Sequence, residues 1–379
     1  MTEKLYYKDA YIKEFVAKVL ECTPCDRGYT VVLDRTAFFP EEGGQFSDTG
    51  RISDARVISV HEMNGIVYHI TDKRPSGDEV FCTLDFDARF EKMQCHTAEH
   101  ILCGIIHRLF GLENVGFHLG DDEVTFDISA PLTREELDKV EALANEAVFS
   151  NIGVETLFPT AAELPLLDYR SKLDITENVR IVKIGEVDSC ACCAPHVAST
   201  GEIGIIKILD FMKHRGGLRI WMTAGRRALA DYRLKYSNLK EISAILSVPQ
   251  HSTAEALVRY TEEVKNLKYE LKQARSELAV AIANGVPKTE GNLVTLLDGF
   301  SMDDLRAFAN SAVDKVSGML VALSGKEGDY KFVISSEKTD LVSEMKKIKA
   351  ALAANGGGKC RMVQGSFSEP LEKIKEYFR

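Results

Sequence analysis

Four side chains that are able to bind a metal ion occur in two short segments of the sequence. His96 and His100 are four residues apart, so on a helix they lie on one face, one turn apart. Cys192 and His196 occur in a distant segment with Cys-x3-His spacing. Because three imidazoles and a thiolate make a ligand set that tetrahedral zinc accepts, the sequence predicts a zinc site formed by these four residues.

Two questions about this site stay open at the level of sequence. Cys190 and Cys193 lie close enough to Cys192 to replace it as a ligand. Four protein ligands are typical of a structural zinc, whereas a catalytic zinc keeps a position for water or substrate.

The stretch from His96 to His100 also matches the His-x-x-Glu-His pattern of inverzincin peptidases, in which the glutamate is the general base. The Cys-x3-His pair supplies the remaining ligands without the distant acidic ligand of those peptidases, so a peptidase is the weaker interpretation.

The composition indicates a globular chain of two to four domains, with 379 residues and 45% hydrophobic side chains. An apolar run of about 18 residues, which a membrane-spanning helix requires, is missing from the sequence. The first residues lack the apolar core of a signal peptide. Nine cysteines in no regular framework are typical of reduced thiols, so we expect a cytoplasmic protein that does not enter a membrane.

The net charge of −10 argues against a nucleic-acid partner, but the charge is unevenly distributed. Residues 206–280 hold 14 basic and 8 acidic side chains. This local excess indicates either a phosphate-binding face or an ordinary helix rich in lysine and arginine.

The order of the predicted elements indicates an α+β protein. Short β-branched segments separated by turn residues predict an N-terminal β-barrel over 1–88. Helices alternating with strands predict a zinc-binding α/β domain over 89–224 and a C-terminal α/β domain over 287–379. Between them, 225–286 is predicted to form a helical hairpin or coiled coil.

Several local patterns predict how these elements begin and end. Capping boxes at Thr133 and Ser252, each with a glutamate three residues later, predict the starts of two helices. After Ser252, apolar residues follow a and d positions through nearly four heptads, which predicts a partner helix from this chain or from a second copy. Asp121-Asp122 is predicted to be a turn, and 355–360, rich in glycine, is predicted to be a mobile loop.

The chain resembles the long form of the AlaX family of alanyl-tRNA editing proteins, related to the editing domain of alanyl-tRNA synthetase. That family shows a Phe-Tyr-Pro-x-Gly-Gly-Gly-Gln motif with Asp-x-Gly, then His-x3-His, then Cys-x3-His. The matching residues occur here in the same order: Phe38-Phe39-Pro40-Glu41-Glu42-Gly43-Gly44-Gln45 with Asp48 and Gly50, then His96 and His100, then Cys192 and His196. Near the end, Gly356-Gly357-Gly358-Lys359 resembles the DHH-associated C-terminal domain of these proteins.

The resemblance implies zinc-dependent hydrolysis of seryl- or glycyl-tRNA(Ala), acting in trans on a tRNA partner. We expect Thr97 and Gln45 to contact the amino-acid end of the substrate or the attacking water. The simpler interpretation is a helical threonine bonded to its own backbone and a loop glutamine facing water. Candidates for phosphate contacts are basic residues of the middle and C-terminal regions: Arg215, Arg219, Arg226, Arg227 and Lys359.

A non-enzymatic alternative also fits these residues. In it, the zinc stabilises a tRNA-binding module that has no turnover, and removing the metal unfolds the protein instead of only inactivating it. The sequence leaves open which amino acid is preferred. The helical region and the C-terminal region are the candidates for contacts in a homodimer.

Overall fold

The computed structural model describes residues 1–121, 123–171 and 179–379. Asp122, half of the predicted turn, therefore lies outside the described residues. The chain divides into two compact units, Met1–Asn238 and Leu239–Arg379. Both units combine helices with sheets, which confirms the α+β class. The finer boundaries near 88, 224 and 286 stay predictions.

The first unit begins with eight strands: β1 (Glu3–Lys4), β2 (Glu14–Cys25), β3 (Gly28–Leu33), β4 (Arg35–Thr36), β5 (Gly50–Ile52), β6 (Ala55–Met63), β7 (Ile66–Thr71) and β8 (Glu79–Leu84). Hydrogen bonds join β2, β3, β7, β6, β5 and β8 in that order. The last strand, β8, also pairs with the first, β2, which closes a barrel. Alternate residues of these strands, such as Val31, Leu33 and Val67, are fully buried and fill its interior.

The rest of the first unit surrounds one central helix. Its elements are α1 (Phe86–Phe110), β9 (Asn114–Leu119), β10 (Val124–Ile128), α2 (Arg134–Phe149), β11 (Val154–Leu157), β12 (Ile181–Ile184), β13 (Asp188–Ala191), β14 (Ile206–His214), β15 (Gly217–Ala224) and the first part of α3 (Gly225–Leu246), a helix that continues past Asn238. One antiparallel sheet has the order β14-β15-β10-β9, and a second has the order β11-β12-β13. Every residue of α1 from Lys92 to Ile106 is buried, because the helix contacts both sheets and α2.

The predicted capping box at the start of α2 is confirmed. The Thr133 hydroxyl accepts from the backbone N–H of Glu136 at 3.2 Å, and the Glu136 carboxylate accepts from the N–H of Thr133 at 2.7 Å. These two bonds satisfy backbone donors that the first helical turn leaves free. The apolar face of α2 then packs into the core through Leu137, Val140 and Ala144.

The second unit consists of α4 (Thr253–Asn284), β16 (Leu293–Leu296), α5 (Met302–Ala312), β17 (Leu320–Lys326), β18 (Asp329–Ser335), α6 (Leu341–Ala351), β19 (Ala354–Lys359), β20 (Met362–Phe367) and α7 (Leu371–Tyr377). Its sheet has the order β16-β17-β18-β20-β19, in which only β16 and β17 are parallel. Large apolar side chains such as Phe332 and Phe367 fill the core of this unit.

Two local predictions in this unit are wrong. The Ser252 side chain does not cap α4, because a short 3-10 turn, Gln250–Ser252, precedes the helix and gives Ser252 a ψ of 5° instead of extended backbone. The glycine-rich segment predicted to be a loop is the strand β19, because β20 pairs with it along its whole length.

The apolar stripe of α4 remains largely exposed in the single chain. Leu257, Val264, Leu267, Leu271 and Leu278 are each about half exposed. The partner that would cover this stripe, a second helix of this chain or a second copy, stays a prediction. Within the described ranges, no helix combines the length and apolar character needed to cross a bilayer.

Candidate metal centre and active site

The four predicted ligands come together in the first unit. The helix α1 supplies His96 and His100, and the segment after β13 supplies Cys192 and His196. Their ligand atoms all lie within 4.8 Å of one another. The Cys192 sulfur is 3.7 Å from His96 Nε2 and 3.4 Å from His196 Nε2. Around a tetrahedral zinc, sulfur and nitrogen ligands lie roughly 3.5 Å apart, so this arrangement fits the ion.

The other ring nitrogen of each histidine is held by an oxygen acceptor. The three contacts join His96 Nδ1 to Gln45 Oε1 at 2.8 Å, His100 Nδ1 to Asp188 Oδ2 at 2.9 Å, and His196 Nδ1 to Thr97 Oγ1 at 3.0 Å. Metal-bound histidines nearly always donate their second N–H to such a partner. In this tautomer, each Nε2 lone pair is directed towards the common point of the four ligands.

The direction of these hydrogen bonds follows from the acceptors. A carboxylate oxygen of Asp188 can only accept, so His100 Nδ1 is the donor. The Thr97 hydroxyl donates its proton to the carbonyl of Met93 at 2.7 Å, so it accepts from His196. The site therefore holds a proton on Nδ1 of each ring, so that each imidazole in its neutral form binds a metal through Nε2.

The electrostatics of the site favour a thiolate at Cys192 and act in opposite directions on His196 and His100. Burial alone would raise the pKa of the Cys192 thiol, but the neighbouring His96 and His196 hold that pKa well below its usual value. Burial lowers the pKa of His196 to about 3, which keeps this imidazole neutral. Burial also opposes a charge on His100, but its hydrogen bonds to Asp188 and Cys192 raise its pKa well above the usual value. The Cys192 thiolate is the form that binds zinc, and zinc binding would release the extra proton of His100.

Asp188 links His100 to the body of the protein. Its second carboxylate oxygen, Oδ1, accepts from Arg170 Nε at 2.8 Å, so both oxygens are fixed. The carboxylate reaches the helix because Gly104 has no side chain. A Cβ at Gly104 would lie 2.7 Å from the Cβ of Asp188 and 2.5 Å from the carbonyl of Val187.

Replacing Asp188 with asparagine is expected to weaken zinc binding about 10- to 100-fold, because His100 loses a charged acceptor that fixes its ring. Competition with a chromogenic chelator measures this affinity. Ser189→Ala, in the next position of β13, is the matched control and should bind zinc like the wild type. Equal affinities of Asp188→Asn and wild type would contradict this role.

Arg180 fixes the loop that carries Cys192. Its Nη1 donates to the carbonyl of Cys192 at 2.7 Å and to that of Ala194 at 2.9 Å. The guanidinium also packs 5.5 Å from the centre of the Tyr7 ring. Burial lowers the pKa of Arg180, although the nearby Cys192 opposes this effect. The position of the thiolate is thus set by a buried cation and two backbone carbonyls.

A cavity of about 360 Å³ opens beside the ligand cluster and is lined by three of its members, His96, His100 and Cys192. One wall is formed by the faces of His96 and His100 and by the polar side chains of Glu99 and Asn114. Phe117 packs against His96 with ring centres 4.7 Å apart and ring planes tilted by 45°. A cavity with a metal-binding corner and a few converging polar groups has the form of a small-molecule or ester-binding site.

Gln45 and Thr97 lie behind the histidines and not on the wall of this cavity. Both side chains are fully buried, and their oxygens contact His96 and His196. The loop that carries Gln45 turns tightly at Gly44, which has a φ of +84°. A Cβ there would lie 2.3 Å from the carbonyl of Phe117, so only glycine lets the loop approach β9 this closely.

The basic residues predicted to contact phosphates have different environments. Arg219 forms two 2.8 Å bonds to Asp127, and Arg226 pairs with Asp87 at 2.6 Å. Arg227 donates to the carbonyl of Gly120 at 2.8 Å. The two remaining candidates, Arg215 and Lys359, are exposed.

Several residues of the site were not predicted from the sequence: Asn114, Arg170, Arg180 and Asp188. Glu99 entered the sequence analysis only as the glutamate of the weaker peptidase interpretation. For Asp188 a signal was present, because an acidic residue beside a metal-binding cysteine segment is a natural acceptor for a ligand histidine. For Asn114 and Arg170, no local pattern indicates that the fold brings them to the cavity.

Comparisons with known proteins agree with this description. The family model "Threonyl and Alanyl tRNA synthetase second additional domain" matches residues 179–220, which include Cys192 and His196. The family model "tRNA synthetases class II (A)" matches residues 2–88. Both models describe parts of aminoacyl-tRNA synthetases.

The chain is 28% identical to the alanyl-tRNA editing protein AlaX-L of Pyrococcus horikoshii, and the match covers all of both chains. It is 31% identical to the alanine–tRNA ligase of Pyrococcus abyssi over 99% of this chain and 43% of the ligase. The ligase of Halorubrum lacusprofundi is 33% identical over 88% of this chain and 38% of its own length. The chain thus spans about two fifths of the ligases it matches. The full-length match to AlaX-L confirms the resemblance to the AlaX family, whereas the resemblance of 356–359 to a DHH-associated domain stays a prediction.

A solved structure of the C-Ala domain from Aquifex aeolicus alanyl-tRNA synthetase is also similar, with 19% identity and a TM-score of 0.20. The match covers 23% of this chain and 86% of that domain. This likeness is too weak to bear on the fold.

Proposed function

We propose that this protein is a zinc-dependent deacylase that hydrolyses seryl- or glycyl-tRNA(Ala) in trans. The observation that carries the proposal is the convergence of His96, His100, Cys192 and His196, three of which line a cavity large enough for an aminoacyl group. The full-length match to an alanyl-tRNA editing protein supports the same activity. Free cysteines throughout the described chain agree with a reducing cytoplasm.

The reaction places modest demands on the site. Water attacks the ester carbonyl, the ribose oxygen leaves with a proton, and the amino acid is released. The site has mainly to position the ester and stabilise the developing oxyanion. A bound zinc would supply Lewis acidity for the carbonyl or for water. The protein holds the ligand rings in one orientation through Gln45, Thr97 and Asp188.

The position of Thr97 changes the role expected for it. Its hydroxyl accepts from His196 Nδ1 and from the backbone N–H of Val197, the latter at 3.3 Å. We assign Thr97 and Gln45 as positioning residues that act through the ligand histidines. Discrimination between amino acids then depends on groups that line the cavity.

Thr97→Val is expected to lower kcat/KM for seryl-tRNA and the zinc affinity by at least about tenfold, because His196 loses its acceptor while the side-chain volume is kept. Thr97→Ser retains the hydroxyl and should restore both values. Single-turnover deacylation and chelator competition measure the two effects. If valine and serine behave alike, the hydroxyl has no positioning role.

Binding of the tRNA body is proposed to involve Arg215 and Lys359, whose side chains are exposed. Arg219, Arg226 and Arg227 are also candidates, but each has to release or share the protein partner described above. Phosphate contacts of this kind make the affinity fall with salt concentration.

The proposal is tested by incubating the protein with seryl-, glycyl- and alanyl-tRNA(Ala) and with a peptide, before and after removal of metal by a chelator. We expect metal-dependent release of serine or glycine and little release of alanine. Binding of tRNA without turnover, together with unfolding on metal removal, would favour the zinc-stabilised binding module. Cleavage of the peptide alone would favour a peptidase.

A further inference from the structure

Glu99 is a buried carboxylate on the wall of the cavity. Its side chain is 4% exposed, and the residue lies on α1 between the two ligand histidines. Oε1 accepts from the amide of Asn114 and from the Cys103 thiol, the latter at 3.2 Å. Within the described part of the chain, Oε2 has no hydrogen-bond partner. This oxygen is also not fully buried among protein atoms. This oxygen is therefore available to a molecule in the cavity.

The charge of Glu99 has no protein counterion among the described residues. Both of its partners are neutral groups, an amide and a thiol. The cavity arginines are engaged elsewhere, since Arg170 pairs with Asp188 and Arg180 bonds to backbone carbonyls. Burying a carboxylate is costly unless it is paired, so this position favours a ligand that brings a positive charge.

Glu99 is also separate from the metal ligands. The group of ligand atoms that lie within 4.8 Å of one another consists of His96, His100, Cys192 and His196 and does not include this carboxylate. Asn114 holds Glu99 from one side, while its own Oδ1 accepts from the N–H of Gly116 at 3.0 Å. The carboxylate is thus oriented by a fixed amide and presents its second oxygen to the cavity.

We infer that Glu99 binds the α-ammonium group of the aminoacyl ester, so that the site accepts esters with a free amino group and rejects N-acylated ones. This inference rests on the proposed function and names its substrate class more closely. The α-ammonium is the cation nearest to the reacting carbonyl, about 2.5 Å from the carbonyl carbon. It offers three donors to a carboxylate and forms charge-assisted bonds with it. The phosphates of the 3′ end are anionic and are repelled from this wall.

Acylation of the amine removes both sources of attraction. The amide nitrogen of an N-acyl group is neutral and keeps a single N–H, and its acyl group occupies additional volume. An N-acylated ester would leave Glu99 buried and unpaired. A site whose binding depends on a polar contact discriminates strongly against a ligand that cannot make this contact. Aminoacyl-tRNA and N-acylated aminoacyl-tRNA should therefore differ as substrates even when the side chain is the same.

The test compares seryl-tRNA(Ala) with N-acetyl-seryl-tRNA(Ala), using the zinc-loaded full-length chain and dividing each kcat/KM by the spontaneous hydrolysis rate of that ester. The wild type is expected to favour the free amine by at least about tenfold. Glu99→Gln should lower the value for seryl-tRNA at least about tenfold and leave the value for the acetylated ester within about threefold. Glu113→Gln, at an exposed residue just after α1, is the matched control and should behave like wild type. Zinc content is measured for every variant.

Each outcome decides a separate point. If Glu99→Gln slows both esters equally, Glu99 acts on the reaction step as a general base would, and the inference fails. Equal corrected values for the two esters with wild-type protein overturn it without any variant, whether or not Glu99→Gln folds. A wild-type protein that hydrolyses none of the aminoacyl-tRNAs contradicts the proposed function itself.

Discussion

Replacing His100 with alanine is expected to remove zinc from the purified protein and to lower deacylation of seryl-tRNA at least about 100-fold. A lost outer partner of a ligand typically costs 10- to 100-fold, and His100 is itself a proposed ligand. Its imidazole is 3% exposed, and Asp188 holds its Nδ1 at 2.9 Å. Metal analysis and single-turnover kinetics measure the two effects.

The same helix offers a matched control for this experiment. His107 is also on α1, but its side chain is 44% exposed and contacts Glu113 at the surface. His107→Ala should keep full zinc content and activity. Activity in His100→Ala close to that of His107→Ala would contradict the assignment of the site. Thermal denaturation of both variants distinguishes loss of the metal from loss of the fold.

The second large effect is expected at a buried ion pair that fixes the loop of Gln45 to α1. Arg89 and Asp48 are 1% and 2% exposed, and the Arg89 Nε lies 2.9 Å from Asp48 Oδ2. Arg89 also donates to the carbonyls of Ala10 and Ala37, at 3.1 and 2.6 Å. The Arg89 guanidinium thus joins α1 to the segment before β2, through Ala10, and to the segment after β4, through Ala37.

Arg89→Met is expected to destabilise the first unit by about 3–5 kcal/mol, because it leaves the Asp48 carboxylate buried without its partner. For a unit of this size the midpoint of thermal unfolding falls by about 6–20 °C. Lys375→Met, which breaks an exposed pair with Glu372, should change the stability by less than about 1 kcal/mol.

Two measurements complete this prediction. Calorimetry on both variants gives the midpoints, and an Arg89→Met midpoint within about 2 °C of wild type would contradict the role of the pair. Arg89→Lys keeps the charge but loses the planar set of donors, so an intermediate midpoint is expected. Because the loop also carries Gln45, zinc affinity should fall in parallel with stability.

The sequence permits prediction of the ligands better than prediction of what holds them. The i, i+4 spacing of His96 and His100 and the Cys-x3-His spacing are local, and local spacing determines which side chains share a helix face or a turn. The acceptors at Nδ1 come from three separate parts of the chain. Gln45 lies in the loop that contains Gly44, Thr97 lies on α1, and Asp188 lies on β13. Their convergence depends on the packing of the barrel and sheets against α1.

Local preference also failed where tertiary pairing or a preceding turn prevailed. Ser252 has a capping residue's chemistry, but the 3-10 turn before it changes its backbone. Gly356, Gly357 and Gly358 have a loop's composition, but they form a strand because β20 supplies hydrogen-bond partners. At the site, by contrast, Thr97 follows its local preference: its hydroxyl bonds to the carbonyl of Met93 one turn earlier, and it also accepts from His196.

The most direct test of the central claim is the zinc K-edge X-ray absorption spectrum of the purified protein. Binding by His96, His100, Cys192 and His196 predicts one zinc per chain, with a single sulfur at about 2.3 Å and three nitrogen ligands at about 2.0 Å. Two or more sulfur ligands would mean that Cys190 or Cys193 takes part, and a protein that retains no zinc would have no such centre. Either result would contradict the site described here.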